Sequence, residues 1–112
     1  MSDQQQTNVC DPIYSELAQS DADFAEIVEL FVSGLVDRLR SMEEAFKDND
    51  LDRLRRLFHQ LKGSGGGHGY PLLTSKAADL EQLVINSELE QIKSGLDELT
   101  QLMNRVKVLP PS

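Results

Sequence analysis

With 112 residues, 39% of them hydrophobic, the chain suits one compact domain and is too short for two that fold independently. Aromatics are scarce (no Trp, two Tyr, four Phe), while Leu, Ala, Glu, Asp and Lys are frequent, which favours helices packed on aliphatic stripes over a β-sandwich. The net charge of −8 excludes the basic footprint of a nucleic-acid binder, and a single cysteine, Cys10, excludes an intrachain disulfide framework and a Cys-only zinc site.

The opening residues, Met-Ser-Asp-Gln-Gln-Gln, carry neither the basic nor the apolar region of a secretory signal. No stretch approaches the roughly 18 apolar residues that span a bilayer. The expectation is a soluble, cytoplasmic protein with no membrane or nucleic-acid partner.

Residues 1–11 are polar and expected to be a flexible N-terminus, with 12–109 forming the domain. Pro12 opens a short helical or extended segment through Ile13, Tyr14, Leu17 and Ala18 that can lie across the rest as a lid. Ser20 with Asp23 reads as a capping box, and Phe24, Ile27, Val28, Phe31, Leu35, Leu39, Met42 and Phe46 follow at spacings of three and four, which predicts one long amphipathic helix. Asp48-Asn49-Asp50 breaks it, with Asp50 as N-cap of a second helix on Leu51, Leu54, Leu57, Phe58 and Leu61.

That helix runs into Gly63-Ser64-Gly65-Gly66-Gly67-His68-Gly69, where only packing can sustain it, because each interior Gly costs about 1 kcal/mol relative to Ala. Pro71 suits the first turn of a third helix, with Leu72, Leu73, Ala77, Leu80, Leu83 and Val84 on its apolar side and an end near Asn86. Ser87 with Glu90 reads as a capping box for a fourth, through Leu89, Ile92, Leu96, Leu99, Leu102, Met103 and Val106 until Pro110-Pro111 stops it. Short links argue for antiparallel neighbours. The expected fold is all-α: an antiparallel up-and-down four-helix bundle with a short extra N-terminal segment or helix.

At about 100° per residue the second helix turns 54, 58 and 61 to the core, with 51 and 57 flanking. His59 shares the opposite face with Asp52, Arg55, Arg56, Lys62, Gly63 and Gly66. A neutral imidazole is a good nucleophile near neutral pH, since an ordinary pKa of about 6.5 leaves one ring nitrogen with a free lone pair. Phosphorylation there calls for a cation, which Lys62 supplies one turn on, and for clearance, which Gly63 and Gly66 supply. It also calls for an acceptor on the adjacent helix to bind the other ring nitrogen and fix the tautomer. Glu81 is the candidate, because antiparallel packing returns that position towards His59.

His59-Gln60-Leu61-Lys62-Gly63-Ser64, with Gly69 ten residues after the histidine, resembles the signature of the histidine-containing phosphotransfer (HPt) family of two-component phosphorelays. The preceding amphipathic helix, the acidic turn at 48–50 and the Ala77-Ala78-Asp79-Leu80-Glu81 stretch extend the resemblance over roughly residues 20–105. It implies a four-helix bundle with a phosphoacceptor at His59, Lys62 near the phosphoryl group and Gly63 clearing space for a receiver domain. Glu81 stands where some members carry a carboxylate bonded to the imidazole. The chain departs from the family pattern at His68, where an aliphatic or aromatic residue is usual, and at the triple glycine 65–67.

The function implied is a phosphorelay intermediate, expected to be a monomer: a phosphoprotein that takes a phosphoryl group from a sensor histidine kinase or a receiver aspartate and passes it to a response-regulator receiver domain. Such a phosphocarrier is not an enzyme with turnover of its own. It has no cofactor, the Mg²⁺ being the partner's. Partner choice is expected from the residues ringing His59, namely Asp52, Arg55, Arg56, Gln60 and Gly66. The alternative is an adaptor or inhibitor of the same fold that binds receivers or kinases without transfer.

Three other readings fail. The glycine run has no preceding strand and no Gly-Lys-Ser/Thr ending, so it is not a nucleotide loop. His59 and His68 lack a ligand spacing, so no metal site is expected and His68 is a packed or surface residue. A hydrolase needs a cleft with an oxyanion site, which a convex helix face lacks. An exposed apolar margin involving Phe24 or Ile27 and Ile13 or Leu17 is a place for a partner to dock.

Overall fold

The computed structural model describes residues 11–111, so most of the expected flexible N-terminus, with Cys10, lies outside the described residues. Pro12 leads into an extended pair, β1 (Ile13–Tyr14), and then a short helix, α1 (Glu16–Ser20). A 3₁₀ turn at Ala22–Phe24 precedes α2 (Ala25–Ser33) and α3 (Leu35–Lys47). The long helices α4 (Leu51–Gly67), α5 (Pro71–Ile85) and α6 (Leu89–Asn104) follow, and β2 (Val106–Lys107) pairs in parallel with β1, Ile13 opposite Val106 and Tyr14 opposite Lys107. The chain is mostly helical. Among the described residues no helix is long and apolar enough to cross a membrane.

The apolar spacing accounts for the packing. Val28, Phe31, Leu35, Met42, Leu54, Phe58, Leu61, Leu73, Leu80, Ile92 and Leu99 are all buried, and Leu51 and Leu57 flank the stripe of α4 half-buried. In chain order α3 packs on α4, α4 on α5 and α5 on α6, and α6 returns to touch α3, so the four elements enclose one core. The α4–α5 contact is the most extensive.

Three helices end alike. After α3, Asp50 N–H donates to Ala45 O and Asn49 N–H to Phe46 O; after α4, Tyr70 donates to Gly65 and Gly69 to Gly66; after α5, Glu88 donates to Leu83 and Ser87 to Val84. These are Schellman closures, which place one residue in the left-handed region. That residue is Asn49 (φ 56°), Gly69 (φ 93°) and Ser87 (φ 56°) in turn.

Several expectations need correction. The long first helix is interrupted at Gly34, whose N–H is shared between Leu30 O and Phe31 O, because glycine holds helical dihedrals weakly. Ser20 does not cap: its hydroxyl donates to Leu17 O, and Asp21 accepts from Asp23 N–H at the start of the 3₁₀ turn. Ser87 cannot cap α6 because it is already spent closing α5, and Glu88 takes the N-cap place without a side-chain bond. Val106 belongs to β2, since the last helix stops at Asn104 well before the prolines. The Asp50 cap is as expected, accepting from Arg53 N–H at 3.2 Å.

The N-terminal segment is stitched down. Ile13 N–H donates to Arg105 O, Ser15 N–H to Val108 O and Glu16 N–H to Gly69 O. Ser15 is fully buried, capping Ala18 N–H and donating its hydroxyl to His68 O at 2.7 Å. Tyr70, equally buried, donates to Lys107 O at 2.6 Å, and burial pushes its phenol up to about 12.

Candidate functional site

The α4 helix passes its glycine run because α5 lies against it too closely for larger side chains. A Cβ on Gly65 would sit 2.9 Å from Leu73 Cβ and 3.2 Å from Thr74 N. Thr74 Oγ1 completes the contact by accepting from Gly66 N–H at 2.7 Å and donating to Lys62 O at 2.6 Å. One hydroxyl from α5 thus joins both ends of a helical rung of α4. No sequence motif flags Thr74; only the run of small residues hints at a close approach.

With Leu54, Phe58 and Leu61 in the core, His59 faces outward and its side chain is 66% exposed. Among the described acidic residues Glu81 is the buried exception, lying beside the Ala77, Leu80 and Val84 stripe of α5. Its two oxygens are divided. Oε2 lies 3.1 Å from His59 Nδ1, and Oε1 accepts from Lys62 Nζ at 2.8 Å. The Lys62 hydrogen bond, more than the one from His59, holds this carboxyl below its ordinary range against the opposing effect of burial.

An ionised carboxylate only accepts, so Nδ1 must carry the proton in this contact. The lone pair of a neutral ring is then on Nε2, the nitrogen away from Glu81. Sequence reasoning placed Glu81 by counting back along an antiparallel neighbour, and the paired contacts 59 with 81, 62 with 81 and 66 with 74 follow that register.

Of the other expected residues, Arg55, Arg56 and Gln60 line an open depression of about 390 Å³ together with His59 and Glu81. Asp52 lies outside that group and lines an adjoining hollow with Leu51, Arg55, Val84, Ile85 and Ser87. Gly63 faces open space, with nothing within 4 Å of a Cβ built on it, whereas Gly66 is turned against Thr74. His68 belongs elsewhere. Its ring stacks on Phe31, centroids 4.3 Å apart and planes within 4°, and its Nδ1 lies 2.7 Å from Ser64 O. Among the described residues no group of three or more His, Cys, Asp or Glu is arranged to hold a metal ion.

The site is thus an exposed imidazole beside a carboxylate on the next helix. The family model described as Hpt domain matches residues 26–108. The chain belongs to the Hpt domain family. Hpt domains are phosphocarrier modules of two-component phosphorelays, and as a family they interact with receiver domains and histidine kinases. The Hpt match begins inside α2, leaving β1 and α1 before it. Comparison with curated proteins and with solved structures gave no significant match.

Proposed function

We propose that this Hpt domain is a phosphorelay intermediate in which His59 accepts a phosphoryl group at Nε2 and returns it to a receiver aspartate. The observation that carries the reading is the Nδ1 contact with Glu81, which leaves the nucleophilic nitrogen outward on an exposed ring. The closed packing order of α3, α4, α5 and α6 supports an antiparallel up-and-down four-helix bundle as the scaffold.

In transfer from an aspartyl phosphate, the Nε2 lone pair forms the N–P bond as the acyl P–O bond breaks and the aspartate leaves as carboxylate. The ring then carries a positive charge, with its proton still on Nδ1. Glu81 stabilises that cation, because a hydrogen bond to a charged group is stronger than to a neutral one. In the reverse step a receiver carboxylate forms the P–O bond as N–P breaks, and the electron pair returns to Nε2, so the ring leaves as neutral imidazole with its proton on Nδ1. Lys62 keeps Glu81 ionised and brings positive charge within a turn of the acceptor. Gly63 gives the partner's active site clearance. The Mg²⁺ and the remaining electrostatics belong to the partner, so the domain has no turnover of its own. The protein acts in the cytoplasm as a monomer, a reading supported by its charge and its lone cysteine.

Phosphoramidate treatment followed by peptide mapping tests this directly. Acid-labile phosphate is expected on His59, none on His59→Gln, and transfer to at least one receiver domain from a panel. A wild-type protein that binds receivers yet carries no phosphate on His59 would make it a non-transferring adaptor.

A further inference from the structure

Lys62 is not a free cation: its Nζ is engaged by Glu81 Oε1 at 2.8 Å. A phosphoryl group on Nε2 adds about 1.5 to 2 negative charges beside a ring already backed by a carboxylate. Positive charge is therefore needed on the outward side, and α4 carries it one turn before His59. At about 100° per residue, Arg55 and Arg56 stand about 40° and 60° to either side of His59 around the helix. Helical side chains lean towards the N-terminus, so the imidazole lies over the turn that bears these two residues. Both arginines line the depression that holds His59.

Their charges are also unspent. Among the described residues Arg53 is bridged to Glu44 at 3.9 Å and Arg40 to Asp37 at 3.3 Å, while neither Arg55 nor Arg56 is in an ion pair. Asp52 stands one turn away on the same helix without engaging either. Two exposed, uncommitted guanidiniums flanking one imidazole, in a chain of net charge −8, mark a place for a compact anion.

We propose that Arg55 and Arg56 form a clamp on the phosphoryl oxygens of phospho-His59, facing the group from the outward side while Glu81 holds the ring from the other. The clamp rests on the reading of His59 as a phosphoacceptor. It adds two residues that bind the transferred group itself, with Lys62 and Glu81 as the other charged groups facing it and Asp52 as the nearest competing acid.

The test uses the whole chain with no partner present. Phosphoramidate labels His59 by forming Nε2–P as P–N breaks and ammonia leaves. The labelling rate and the pH midpoint of the ³¹P resonance are measured for wild type, Arg55→Gln, Arg56→Gln, the double variant and Arg53→Gln. Each clamp variant is expected to slow labelling about threefold and the pair about tenfold, as for exposed charge pairs. The midpoint should rise in the same order, because a lost cation makes the phosphoryl dianion less favourable. Arg53→Gln, with the same change in net charge, should alter neither, and the Lys variants at 55 and 56 should restore most of both.

Wild-type labelling and midpoint in the double variant would overturn the clamp while leaving the phosphocarrier reading intact. The same result combined with lost transfer to a receiver would also overturn it, assigning the arginines to the partner's surface instead. Absence of label on wild-type His59 would remove both readings together.

Discussion

His59 on α4 donates from Nδ1 to Oε2 of Glu81 on α5, at 3.1 Å and 22 residues apart in the chain. That contact selects the reactive nitrogen, so its removal should be felt in chemistry more than in folding. In Glu81→Gln the acceptor oxygen can remain but its charge is gone. We expect phosphorylation of His59 to slow by at least about tenfold, since a hydrogen bond to a charged group is worth about 1.5–3 kcal/mol. Single-turnover labelling by one saturating phosphodonor checks this, and an unchanged rate would remove Glu81 from the mechanism.

The same carboxyl has a signature in acid. Its pKa is lowered in the folded protein below the ordinary 4.5, chiefly by Lys62. Its ionised form therefore stabilises the fold above the unfolded-state value, and that contribution is lost as pH falls from there through the folded-state value. Unfolding free energies of wild type and Glu81→Gln from urea titration should differ by about 1 kcal/mol at neutral pH and converge as pH falls below the ordinary carboxyl range. A gap independent of pH would mean that Glu81 acts by packing alone.

Gly63 separates stability from function. An added Cβ there meets nothing within 4 Å, so Gly63→Ala should raise stability by about 0.5–1 kcal/mol through better helix propensity. On a surface that a partner must approach closely, the same methyl should weaken receiver binding by about tenfold or more, the cost of a 1–3 kcal/mol overpacking. Thermal unfolding and receiver titration on one preparation should move in opposite senses. A variant that is both more stable and fully active would show that Gly63 clears no space for a partner.

Gly69 has the opposite character. Its φ is 93°, and a Cβ built on it would fall against Leu17 N, 2.5 Å from Ser15 Oγ and 2.7 Å from Glu16 N, so there is no room for a side chain. Gly69→Ala should cost about 2–4 kcal/mol, combining left-handed strain with overpacking. Ser87 occupies the same position in its own Schellman closure, so Ser87→Gly should gain up to about 1 kcal/mol. Denaturant unfolding of the two variants checks both signs, and amide exchange at Glu16 should accelerate only in Gly69→Ala.

Tyr70 sets an alkaline limit. Burial raises its phenol from 10.0 to about 12, so the folded state keeps a proton that the unfolded chain releases. Its stabilisation is fully present below pH 10 and is lost as pH rises from there through about 12. Tyr70→Phe, which leaves Lys107 O without its donor, should lose about 1 kcal/mol at neutral pH and show a shallower alkaline decline. Parallel declines in the two proteins would contradict this role.

Local chemistry in the chain was enough to determine the helical character of most of it, the Asp50 cap, the buried stripe at 54, 58 and 61 and the outward face of His59, because a helical period of about 3.6 residues decides which side chains share a face. The His59–Ser64 part of the phosphotransfer motif likewise lies within one helix and is read without neighbours. Where two signals compete for one residue, only the assembled molecule decides. Ser87 has the chemistry of an N-cap and is taken by the closure of α5, and Gly34 interrupts a period that the apolar residues carry straight through. The pairing of β1 with β2 joins residues more than ninety positions apart, and no local pattern encodes it. The division of Glu81 between His59 and Lys62 is tertiary for the same reason: it depends on how closely α5 approaches the glycines of α4, and that distance is set by packing across the helix pair.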